Sequence, residues 1–168
     1  MIMNEKMIKR LKWLCYMSLF VCACWFLFVC FKSYNQIFNE HIFGMENRHI
    51  QWEANNTVVG YAVTIFSLYL ILTFGLIATF VTFFFNVLRG IKREELFPKA
   101  NVKVINIGAI IIFLQTVAAD NFDQVFITNG PGQIVLTSNP IVLSLAVLVF
   151  GAMYKIAFYV AAEHDLTV

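Results

Sequence analysis

Charge is what this chain has least of. Asp, Glu, Lys and Arg make up 13% of its 168 residues, while 60% are hydrophobic. Soluble domains run nearer about 25% charged and about 45–50% apolar. The mean hydropathy of +0.75 agrees, and an ordinary soluble domain is excluded. Apolar and polar residues do not alternate, which argues against transmembrane β-strands. Histidine is scarce: His41, His49 and His164 all lie outside the long apolar runs. With no zinc-ligand spacing, no Gly-x-Ser-x-Gly near a histidine and no phosphate-cradling glycine loop, neither an enzyme nor a cofactor is expected. No basic block accompanies a soluble fold, so direct nucleic-acid binding has no support. Ionisable groups at mid-span, inverted repeats and paired broken spans, the marks of many transporters, are missing too.

Cysteine is confined to the first apolar run, at Cys15, Cys22, Cys24 and Cys30. A thiol there serves as a small apolar side chain. On a helix Cys15 and Cys22 fall on nearly one face and Cys24 points away from Cys22, so one helix cannot build a tetrahedral thiolate cage. A site joining Cys30 to His41 or His49 is the alternative, and it lacks zinc spacing.

What the chain has is four long apolar runs, at about 11–31, 58–88, 102–119 and 141–162. A bilayer core about 30 Å thick needs about 20 such residues per helix. Apolar residues cover every face, whereas soluble core helices are shorter and amphipathic. The second run exceeds a span and must tilt or project. The first is too long for a signal peptide's apolar region and reads as a retained anchor. The fold class is therefore all-α, a single membrane domain over 1–168 built as a four-helix bundle.

Basic residues mark alternate connections. Lys6, Lys9, Arg10 and Lys12 precede run one, and Arg89, Lys92, Arg93, Lys99 and Lys103 lie between runs two and three. The other connections carry Lys32 and Arg48 among Glu40, Glu46 and Glu53, or Asp120 and Asp123 alone. Excess Lys and Arg mark the cytoplasmic side, so both termini are expected inside. Lys155 sits near the inner end of run four, where its stem can carry the ammonium to the interface.

Local signals sharpen the joins. Phe97-Pro98 ends the second helix, because a residue before proline avoids α geometry. Asn101 is then placed to cap the third helix. Pro140 suits the first turn of the fourth, and Asn129-Gly130-Pro131-Gly132 reads as a turn. In the first outer loop, Ile37, Phe38, Ile42, Phe43 and Met45 fit a short interfacial helix or a solvated connection equally. Asn55-Asn56-Thr57 matches a glycosylation sequon and is read as chance. Gly75 and Thr79 form a pair suited to close helix packing, and Gln115 is read as a bond between helices. Asp120 and Asp123 share a helix face and are read as solvated rather than cation-binding.

Phe97, Asn101 and Gly108, in Leu-Phe-Pro-Lys-Ala-Asn-Val-Lys-Val-Ile-Asn-Ile-Gly, resemble the central signature of DUF2975, a family of small bacterial four-span membrane proteins. The ending Ala-Glu-His-Asp-Leu-Thr-Val is similar to that family's acidic residue and terminal Asp-Leu-Thr-Val. Pro98-Lys99 departs from the family's usual Thr or Ser followed by Pro or an acid. The resemblance implies four spans in the bacterial inner membrane and a partnership with a cytoplasmic regulator of helix-turn-helix type, and it implies no reaction.

The candidate interaction surface is thus cytoplasmic: Arg89, Lys92, Arg93, Phe97, Asn101, Lys103 and Gly108, with Asp165, Leu166, Thr167 and Val168 of the tail. Glu94 and Glu95 sit within the basic cluster. Attraction of its bases to the lipid bilayer is the simpler account of that charge. The preferred function is protein interaction or regulation. The alternatives are a small transporter or channel subunit, which at four spans needs a homo-oligomer to form a path, and a toxin-immunity protein.

Overall fold

The structure is a computed structural model, and it describes residues 5–38, 50, 55–93, 95, 97–128 and 134–166, without the side chains of 123–128 and 164–166. Four helices carry these residues in chain order: α1 (Glu5–Phe38), α2 (Asn56–Lys92), α3 (Ala100–Thr128) and α4 (Asn139–Leu166). No strand occurs among them. Helices are what apolar runs of this length must form in lipid, where each backbone N–H and C=O needs a partner within its own segment. All four are long and apolar enough to cross a membrane, and the chain is a multi-pass membrane protein.

Each helix outruns its apolar stretch at both ends. At 1.5 Å per residue, helices of 28 to 37 residues are about 42–56 Å long, more than the hydrocarbon core of about 30 Å. Polar end turns therefore project beyond it. The third is longer than expected: α3 continues through Asp120 and Asn121 to Thr128. Residues expected in the loop thus extend the helix. Ile37 and Phe38 close α1. Ile42, Phe43 and Met45, and the turn at Asn129-Gly130-Pro131-Gly132, lie outside the described residues.

Asn55 belongs to the fold. Its Oδ1 accepts the Thr57 N–H at 3.2 Å and caps α2. Pro140 falls in the first turn of α4, as its missing N–H favours, and is buried.

Packing follows chain order, α1 on α2, α2 on α3 and α3 on α4. Cys15 of α1 is buried against Val87 and Ile91 of α2, with Ile8 and Leu11 beside them. The start of α1 thus meets the end of α2. Cys22 is buried, while Cys24 and Cys30 are exposed, and all four thiols are free. The α2–α3 seam is built from small residues. A Cβ on Gly75 would stand 3.7 Å from Ile111, and one on Gly108 would stand 3.8 Å from the Thr79 hydroxyl. Further along, Gln115 donates to the Thr73 hydroxyl at 3.5 Å, the interhelical bond expected of it. Phe122 stacks on Phe66 and Tyr69 with ring centroids 5.4 and 5.7 Å apart. Ile50 joins that aromatic end, its N–H donating to the Gln36 carbonyl at 3.0 Å.

Asn121 fastens the segment that leads into α4. Its Nδ2 donates to the Val135 carbonyl at 2.9 Å, and its Oδ1 accepts the Val135 N–H at 2.8 Å. One buried amide thereby satisfies both backbone groups of a residue outside regular structure, which would otherwise be costly. Beside it, Asp120 accepts from the Thr137 hydroxyl at 2.7 Å. Asp120 is therefore a latch on the connection, and the Asp123 side chain is outside the described set.

Candidate functional site at the basic end

The alternate basic stretches meet at one end of the molecule. Contact between the start of α1 and the end of α2 brings Lys9 and Arg10 to the end that carries Arg89, Lys92 and Arg93. The start of α3 follows α2 by a short connection, and Tyr154, just past the middle of α4, packs there too. The first turns of α1 and the second half of α4 thus lie at the same end as the connection between α2 and α3.

A sharp turn makes that connection. The Gly90 carbonyl accepts the N–H groups of Arg93 at 2.8 Å and Glu95 at 2.9 Å, so the chain folds back over the end of α2. A Cβ on Gly90 would lie 2.5 Å from both the Glu95 carbonyl oxygen and Pro98 Cγ. Only glycine lets the backbone approach this closely. Pro98 is buried beneath the turn, and its carbonyl accepts the Asn101 N–H at 3.0 Å as α3 begins.

Asn101 is the centre of the end, and its role differs from the expected cap. α3 starts one residue earlier, at Ala100, and the Asn101 side chain turns towards α2 and α4. Its Oδ1 accepts from Asn86 Nδ2 at 3.0 Å. Its Nδ2 lies 3.3 Å from both the Phe83 carbonyl and the Tyr154 hydroxyl, donating to each. The Tyr154 hydroxyl in turn donates to the Pro98 carbonyl at 3.4 Å. Asn101 is 0% exposed, which such a position tolerates because its amide is partnered. The Tyr154 ring is held edge-on by Phe97 and Phe83, with centroids 5.5 and 6.0 Å away. Below it, Gly151 lets α4 close on α3, since a Cβ there would be 3.0 Å from Ile105.

The structure therefore divides the expected surface in two. Arg89, Lys92, Arg93, Lys99 and Lys103 are exposed, as is Glu95. Asn101 and Gly108 are buried and Phe97 is half-buried. Asn101 and Gly108 cannot present themselves to a partner from these positions, and they act as architecture that holds the exposed bases in place. Asp165 and Leu166 continue the backbone of α4, while Thr167, Val168 and Glu94 lie outside the described residues. Sequence reading missed Asn86, Gly90 and Tyr154. A polar residue and a glycine near the end of a long apolar run were the available signals. Tyr154 gave none, being one aromatic among many.

Among the described residues, no group of three or more His, Cys, Asp and Glu side chains could hold a metal ion. Several hydroxyls within the spans are engaged with their own helices. Thr64, Thr73, Thr82 and Thr116 each donate to the carbonyl four residues back, at 2.7–2.8 Å. Thr79 and Ser144 donate to the carbonyl three back, at 2.7 and 3.1 Å.

No family model, curated protein or solved structure matches the chain.

Proposed function

We propose that this is a bacterial inner-membrane protein that works by protein interaction, through the exposed bases of its basic end, with that end and both termini in the cytoplasm. One observation carries the reading: Arg89, Lys92, Arg93 and Lys99 stand exposed around a connection braced by Gly90, Pro98 and Asn101. A rigid scaffold under exposed charge is what selective recognition of an acidic surface requires. The engaged hydroxyls within the spans favour this reading over a transporter, whose path needs polar groups free to meet a substrate. The partner class is a cytoplasmic regulator of helix-turn-helix type, on the strength of the DUF2975 likeness.

Co-purification from mild detergent tests the proposal. A stoichiometric cytoplasmic protein should accompany the intact chain and be lost from a variant carrying Arg89→Gln, Lys92→Gln and Arg93→Gln. Deletion of the gene should change transcription. Recovery of the chain alone, with unchanged transcription, would overturn the reading.

A further inference from the structure

Between α3 and α4, beside the basic end, lies a groove of about 360 Å³. Its size falls within the range of small-molecule sites, about 300–1,000 Å³. Three lysines are among the residues that line it, Lys99 just before α3, Lys103 one turn into α3, and Lys155 of α4. Among the described residues that line it, none is a carboxylate. The rest of its wall is mostly apolar, with Ile107 and Ile110 following Lys103 along α3 and Phe158 beside Lys155. Ile107 is 42% exposed and Ile110 62%, so the groove opens outward from the helix pair at the depth of the spans. From sequence, Lys155 was a lone base reaching for the interface. The fold sets it on one groove with Lys103 of α3 and Lys99 just before that helix.

We propose that this groove is a binding site for one anionic phospholipid of the surrounding bilayer. The phosphate sits among Lys99, Lys103 and Lys155, and one acyl chain lies along Ile107 and Ile110. Charge complementarity selects the headgroup. Three bases along one groove favour an anionic headgroup over a neutral one. The helix dipole of α3 adds positive potential, since α3 begins at the groove's mouth. The apolar wall selects an amphiphile over a free anion, because inorganic phosphate would leave it uncovered. Basic pockets between transmembrane helices are a known way to hold such headgroups. The site shares Lys99 with the protein-partner reading, whose other bases, Arg89, Lys92 and Arg93, do not line the groove.

The test uses the full chain, purified and measured by native mass spectrometry in detergent with phosphatidylglycerol or phosphatidylcholine added. One phosphatidylglycerol should be retained in preference to phosphatidylcholine. Lys103→Gln and Lys155→Gln should each weaken retention about fivefold, the effect of one basic residue near a headgroup. Lys155→Arg should keep it, and Arg93→Gln, outside the groove, should leave it unchanged. Ile110→Trp, which fills the apolar wall with every lysine intact, should also weaken it. Equal retention of both lipids, or an equal loss with Arg93→Gln, would reduce the effect to general surface attraction and overturn the site. Displacement by millimolar glycerol phosphate would assign the lysines to a soluble phosphate and overturn the lipid. Each variant's helical circular dichroism confirms that it is folded.

Discussion

Replacing Asn101 by leucine removes a buried amide, keeps the branching at Cγ and adds bulk, so no cavity opens and the loss falls on hydrogen bonds, with any overpacking adding to it. Three bonds disappear, to Asn86, the Phe83 carbonyl and the Tyr154 hydroxyl. Bonds between membrane helices average about 0.6 kcal/mol, with a maximum near 1.7, and three at the average come to about 2 kcal/mol. Asn86 loses its partner at the same time, which adds about 1 kcal/mol for a stranded polar group. The expected destabilisation is therefore about 2–3 kcal/mol. Tyr154→Phe removes one of those bonds and the hydroxyl's own bond to the Pro98 carbonyl but keeps its ring contacts with Phe83 and Phe97, so it should cost about 1 kcal/mol, two bonds at the average. The double variant Asn86→Leu with Asn101→Leu should be less destabilised than the sum of the singles, because removing both partners strands neither. Reversible unfolding of the purified chain in mixed micelles, driven by sodium dodecyl sulfate and followed by circular dichroism, measures all of these. An Asn101→Leu variant within about 0.5 kcal/mol of the parent, with additive double-variant energies, would refute the role given to this amide.

Three further outcomes follow from the same geometry. Gly90→Ala places a Cβ 2.5 Å from the Glu95 carbonyl and Pro98; it should cost about 1–3 kcal/mol and speed tryptic cleavage at Arg93 and Lys99, and a parent-like digestion rate would contradict the close approach. Asn121→Leu strands the Val135 N–H and carbonyl, so hydrogen exchange at Val135 should rise at least about tenfold, the loss of about 1.4 kcal/mol of protection; unchanged exchange would disprove the clamp. Gln115→Leu breaks one bond at its distance limit, 3.5 Å, and should shift stability by less than about 1 kcal/mol in the same unfolding assay, a larger loss marking a role the bond does not explain.

The architecture was legible because lipid leaves the sequence few options. Uninterrupted apolar runs such as 58–88 must be helical, and their count and order set the element list. Small residues and a mid-span amide likewise announced the α2–α3 seam, where Gly75, Thr79 and Gln115 act as expected. Helix ends were harder, because polar turns beyond the hydrocarbon carry no length rule; α3 runs on to Thr128 for that reason. At the candidate site, exposed charge was readable and buried partners were not. Asn101 looks like a cap beside its neighbours in sequence, and only the approach of Tyr154, 53 positions away, makes it the centre of three elements. The groove was invisible for the same reason, since Lys103 and Lys155 become one site only when α3 and α4 pack.

The most direct test of an interaction protein is site-specific photocrosslinking in cells, with the probe at exposed Arg93 at the basic end and, as the control, at exposed Ile134 at the opposite end. The proposal predicts one discrete adduct with a cytoplasmic protein from Arg93 and none from Ile134. No adduct from Arg93, or the same adduct from both positions, would contradict it.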